Sequence, residues 1–159
     1  MTPRVMKLVW TLSVMGAVSG TGWDVARATE RHVPSDYPTV QAAIDAAVNG
    51  DIVVVADGTY TGAGNRDIDF AGKAITVRSE HGPANCIIDC EGSAQNKHRG
   101  FRFHTNETAA SVLDGLTIQH GYAPLEATCN TTGGGILCRD GADPTIRNCL
   151  IRWNAAPAY

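Results

Sequence analysis

The chain of 159 residues is short of aromatic side chains, at 6%, and of charge, at 18%. It has no basic excess: Lys and Arg number 13 against 16 Asp and Glu, a formal net charge of −3. Affinity for nucleic acid rests largely on Lys and Arg neutralising phosphates, so that class is demoted at the outset. No apolar run approaches the roughly 20 residues of a membrane-spanning helix. The chain also lacks a Gly-x-Ser-x-Gly elbow and any common Cys/His zinc spacing. Gly133-Gly134-Gly135 has no Lys-Ser/Thr after it, so it reads as a tight turn into Ile136 and not as a phosphate cradle. What is abundant is apolar content, at 43%, and glycine, at 17 residues, which suits a turn-rich β protein with a real core.

The first residues read as an export signal. Arg4 and Lys7 precede the apolar run Leu8–Val18, and Ala26-Arg27-Ala28 has the small-x-small form of a cleavage site. Residues 1–28 are therefore expected to be a signal peptide, and the exported chain is expected to be secreted or held at the cell surface. Export permits disulfides, and five cysteines leave at least one thiol over. Cys129 and Cys138 bracket the Gly-rich turn and form the preferred disulfide pair. Asn106-Glu107-Thr108 and Asn130-Thr131-Thr132 are glycosylation sequons for a host that uses them.

Helical periodicity occurs once. Val40, Ala43, Ile44, Ala47 and Val48 fall on one face, Thr39 suits an N-cap, and Asn49-Gly50 suits a stop. Residues 29–50 thus form an N-terminal segment with a short capping helix. From residue 51 to 159 the pattern is of short β segments and turns. Ile75–Val77, Phe101–Phe103 and Ile136–Cys138 form one apparent series. Ile87-Ile88, Val112-Leu113 and Thr145-Ile146 form a second; Ile68–Phe70, Leu116–Ile118 and Cys149–Ile151 form a third. Strands this short bury a core only if successive units stack at about 4.8 Å, so the pattern predicts an all-β parallel solenoid.

DYPTVQAAIDAAVNGDIVVVADGTYTG, followed by KAITVRSEHGPANCIIDCEG, resembles the opening of right-handed parallel β-helix proteins of the pectin-lyase-like superfamily, pectinesterases among them. GLTIQHG and PTIRNCLIRWNAA are similar to generic β-helix repeats of secreted proteins. Gly133–Ile136 with Ile151-Arg152-Trp153-Asn154 is similar to the GGAI and FxxN pair of polymorphic outer-membrane-protein repeats, with Gly and Ile replacing Ala and Phe. The resemblance implies about three and a half coils behind an N-terminal cap. It transfers no catalytic residue, because the paired Asp and the Arg of pectinesterases have no counterpart before Tyr159. A C-terminal cap is not visible either. The expectation is an N-terminal piece of a longer protein, or an open end that self-associates.

Strand parity selects the outward side chains. It puts Arg78, His104 and Arg139 in one row with Arg102 beside it, a candidate site for acidic polysaccharide, since guanidinium forks match uronate carboxylates. The plainer alternative is an ordinary polar surface. Asp67 and Asp69 share a strand face, but nothing places a second group opposite them as glycoside hydrolysis requires. Asp89 and Asp114 are expected at one position of adjacent coils, with Arg147 next and able to pair with Asp114; they are weak calcium candidates, and no other cofactor or metal is implied. The reading reached is a secreted or surface β-helix domain, non-catalytic and glycan-binding, adhesive or structural. The alternatives are the N-terminal part of a polysaccharide lyase or pectinesterase-like enzyme, with its active site beyond Tyr159, and a structural module of an outer-membrane surface protein.

Overall fold

The computed structural model describes residues 27–124 and 133–156. Residues 1–26, which hold most of the expected export signal, lie outside the described residues, as do Cys129 and the Asn130 sequon. In chain order the elements are β1 (Glu30–Val33), α1 (Val40–Ala46), β2 (Ile52–Val55), β3 (Gly58–Tyr60), β4 (Ile68–Asp69), β5 (Thr76–Ser79) and β6 (Cys86–Asp89). They continue with β7 (Phe101–Phe103), β8 (Val112–Asp114), β9 (Thr117–Gln119), β10 (Ile136–Cys138), β11 (Thr145–Arg147) and β12 (Leu150–Arg152). The regular structure of the described residues is thus mostly strand, with one short helix. No helix among the described residues is long and apolar enough to cross a membrane.

Every ladder is parallel, and the strands form three sheets in the orders β1-β2-β5-β8-β11, β3-β6-β9-β12 and β4-β7-β10. After β2, each strand pairs with the strand three further on, so three consecutive strands make one pass. The register lines up like side chains. Val53, Val77, Leu113 and Ile146 form one inward column. Tyr60, Ile88, Ile118 and Ile151 form a second, and Ile68, Phe101 and Ile136 a third. Phe70 packs against Phe103 with ring centroids 4.7 Å apart. Strands of two to four residues therefore share one continuous apolar interior that none of them could bury alone.

The helix forms as its sequence predicts. Thr39 caps it, accepting from the Ala42 N–H at 3.2 Å, and Val40, Ala43 and Ile44 are fully buried. Lys73 Nζ donates to the carbonyls of Ile44 and Asp45 at its other end. Val48 is a correction: the stripe includes it, yet it is 62% exposed. The chain leaves the helix at Ala47, because the Val48 N–H is taken by Asp51 Oδ2 and the Asn49 side chain accepts from Ala74 N–H.

A second correction concerns phase. The strands are where the sequence suggests, but the apparent series mix sheets. Thr76–Ser79 belongs with Val112–Asp114 and Thr145–Arg147 in the five-stranded sheet, whereas Phe101–Phe103 and Ile136–Cys138 belong with Ile68–Asp69. The cause is uneven pass length. Ile52 is matched by Thr76, then Val112, then Thr145, because the loops between strands differ in size. The strand β1 also escaped the sequence reading, since of its two inward residues, Arg31 and Val33, the first is charged and breaks the apolar alternation.

Glycines mark where passes come closest. A Cβ on Gly100 would stand 2.6 Å from both the Gly135 carbonyl oxygen and Ile118 Cγ2, so only hydrogen fits there. Gly135 in turn faces Asn154, whose Oδ1 accepts from Gly121 N–H and whose Nδ2 donates to the Ile118 carbonyl. The Gly-rich turn and the Ile-x-x-Asn segment thus meet at one corner.

Candidate functional site

The outward positions carry the chemistry, and they are organised between passes rather than within them. Four of the five histidines lie against an aspartate of the neighbouring pass. His98 Nδ1 is 2.6 Å from Asp67, His104 Nε2 is 2.9 Å from Asp69, His120 Nδ1 is 3.0 Å from Asp89, and His81 Nδ1 is 3.1 Å from Asp57. Sequence spacing hides these pairs, because each spans a whole pass of variable length.

The densest group lies on the outward side of the three-stranded sheet. Asp69 ends β4, and Arg102 stands beside it on β7. Asp69 Oδ2 accepts from His104 and, at a longer 3.4 Å, from Arg102; its Oδ1 accepts from Ala71 N–H. Partial burial pushes the Asp69 carboxyl up. Its hydrogen bonds from Ala71 and His104 and the charge of Arg102 outweigh that, and the net result is below the usual carboxylate range. The Arg139 N–H donates to the Phe103 carbonyl, so Arg139 follows His104 on the next pass. Asp69, Arg102 and His104 are thus held against one another, and Arg139, ion-paired with Asp140 at 3.2 Å, stands beyond His104. The group can offer hydrogen bonds to a carboxylate or to sugar hydroxyls; nothing in it resembles an activated nucleophile.

The expected row is therefore only part of what the register allows. Arg102, His104 and Arg139 come together. Arg78 does not: it sits on β5 in the five-stranded sheet, aligned with Val54 and Asp114, and its NH2 bonds Glu30 at 3.2 Å. The same shift of phase separates the calcium candidates. Asp89 is aligned with Gln119, while Asp114 is aligned with Arg78 and Arg147 on a different sheet. Asp89 accepts from Gln119 and His120, and Asp114 accepts from Arg147 and Asn148. The pairing of Arg147 with Asp114 is as the sequence suggests. Among the described residues, no group of three or more His, Cys, Asp or Glu is arranged to hold a metal ion.

A second cluster was missed. Arg152 Nε donates to Gln119, and its guanidinium carbon lies 4.2 Å from the centre of the Trp153 ring. That ring stacks on His120 at 5.5 Å. His120 and Trp153 both adopt left-handed backbone, which turns the chain at equivalent corners of successive passes. A non-glycine corner of this kind leaves no reliable mark on the sequence.

The thiols divide by depth. Cys86 and Cys90 are free and buried, and burial pushes each thiol up to about 12, which leaves them unreactive. Cys138 is free and exposed; its expected partner Cys129 lies outside the described residues. Comparison with known proteins returns no match: no family model, no curated protein and no solved structure aligns significantly with this chain.

Proposed function

We propose that the chain is an exported right-handed parallel β-helix of the pectin-lyase-like kind, serving as a non-catalytic surface module that binds acidic polysaccharide. The fold part of this reading is supported by the three-strand recurrence of parallel pairing and by the resemblance of TVQAAIDAA and GTY. The binding part rests on one observation: Arg102 and His104 share the outward side of one pass at the three-stranded sheet, and Arg139 follows His104 on the next pass. Arg102 and Arg139 lie diagonally on adjacent passes with His104 between them, on rigid backbone, and uronate carboxylates would meet their guanidinium forks. Asp69 holds Arg102 only at 3.4 Å, so a ligand carboxylate would replace a long contact and not a short one.

The test is affinity electrophoresis in polygalacturonate. Wild-type protein should be retarded, and R102E/R139E should lose most of that retardation with its circular dichroism unchanged. Arg78→Gln, on another sheet, should behave as wild type. Equal migration of all three, with and without polysaccharide, would refute the reading.

A further inference from the structure

Thr29 is tied to the start of β2 through both of its backbone groups. Its carbonyl accepts from Ile52 N–H at 3.0 Å, and its own N–H donates to Asp51 Oδ1 at 3.0 Å. Arg27 and Ala28, just before it, are exposed, and so is Thr29 itself. Asp51, on the other side of the contact, is only 2% exposed. Its two oxygens have separate partners. Oδ2 accepts from Val48 N–H and from Nε and NH2 of Arg31, whereas Oδ1 faces the Thr29 nitrogen.

A buried carboxylate aimed at this particular nitrogen has a chemical consequence. The expected export signal ends in Ala26-Arg27-Ala28, so its removal breaks the Ala28–Thr29 bond. Hydrolysis adds the hydroxyl of a water to the Ala28 carbonyl carbon and the proton to the Thr29 nitrogen. The released amine takes up a second proton at neutral pH, since an α-amine titrates near about 7.7–8.0. A neutral donor thereby becomes a cation at the atom that Oδ1 already holds. Hydrogen bonds to an ionised donor are roughly twice as strong as neutral ones. Because Thr29 is exposed, the remaining ammonium protons stay in water, and little desolvation opposes the bond. Hydrogen bonds from Val48 and Thr29 hold the Asp51 carboxyl at about 2, so it is ionised wherever the amine is charged.

We propose that Ala28–Thr29 is the processing site of this chain and that the α-ammonium of mature Thr29 is a structural cation bound to Asp51 Oδ1. The first end of the stack is then completed only when the signal is removed: the precursor has an amide at that place, the mature chain an ammonium. The cut precedes folding, because afterwards Thr29 is held against Ile52. This inference rests on the export part of the proposed function. It adds the cleavage position and a task for the atom that cleavage releases.

The full chain is produced in an exporting bacterial host, and mass spectrometry reads the first residue of the exported product, which should be Thr29. The folded product is then acylated at pH 7 with the N-hydroxysuccinimide ester of acetic acid, and peptide mapping reads the rate at the Thr29 amine. That rate should be at least about 10-fold lower than in urea, because acylation needs the neutral amine and the carboxylate keeps it charged. Asp51→Asn, which keeps an oxygen without its charge, should remove most of the protection; where that variant does not fold, the wild-type ratio decides. A product that begins at another residue, a folded rate equal to the rate in urea, or full protection in folded Asp51→Asn overturns the proposal and leaves export standing. A chain that is neither exported nor cut overturns both.

Discussion

The first and last described passes of the stack share the same inward columns but surround them differently. At the first end the position aligned with Val53 is Arg31, which bonds buried Asp51 through Nε at 3.0 Å and NH2 at 2.8 Å and donates to Tyr37. Asp51 also accepts from the N–H groups of Thr29 and Val48, tying β1 and the end of α1 to β2. The helix fills the interior, and Gln41 bonds both backbone groups of Asp69, doing for β4 what a neighbouring strand would do. At the last end the aligned positions are Ile146 and Ile151, with no comparable cover among the described residues. A repeat fixes what each pass offers its neighbours. Only special residues outside the repeat can end it, and at the first end Arg31, Asp51, Gln41 and the helix are those residues.

The sharpest way to break this contrast is Asp51→Ala. It leaves Arg31 without its partner inside the closed end, and unfolding in urea should lose about 3–5 kcal/mol. Acid should act on the same residue. Hydrogen bonds from Val48 and Thr29, with help from Arg31, hold the Asp51 carboxyl down at about 2 despite burial. Its stabilising contribution is complete above the ordinary carboxylate value near 3.8 and is lost as pH falls toward 2. Asp69 and Asp89, also lowered, add in the same sense. Thermal melts from pH 5 to pH 2 should therefore fall, and Asp51→Asn should flatten that fall while lowering stability at pH 5.

Smaller changes sharpen the comparison. Gln41→Ala uncovers the edge of β4 and should cost about 1–2 kcal/mol, with faster amide exchange at Asp69. Thr39→Ala removes the cap of α1 and should cost about 1 kcal/mol. On the last described pass Ile151→Asp should move the urea midpoint by no more than about 0.5 kcal/mol equivalent, although the same change at the buried Ile118 of its column would be severe. A large loss at Ile151 would show that the last described pass is packed as tightly as the earlier ones.

Much of the fold is legible in the residues. The helix with its Thr39 cap, the parity of Phe101 and Phe103 around Arg102, and the tight Gly133 turn all follow from local chemistry. The candidate site was legible in part. Arg102, His104 and Arg139 lie on adjacent strands of one sheet, whose spacing the sequence had right. Arg78 and the Asp89/Asp114 match were misplaced, because a loop of different length shifts which residues of successive passes meet. The Trp153 and His120 stack was invisible for a related reason, since it depends on corners where a left-handed residue is not glycine.

By itself the sequence determined the element types, the inward and outward alternation along each strand, and the helix and its cap. These depend on contacts a few residues apart, which the order of side chains specifies directly. Tertiary structure decided which pass faces which: that Asp69 meets His104, that Asp114 meets Arg147, that Arg78 belongs to another sheet, and that Ile146 and Ile151 are left open. Those outcomes depend on the lengths of irregular loops and on register between distant strands, and parallel pairing imposes no fixed sequence distance on either.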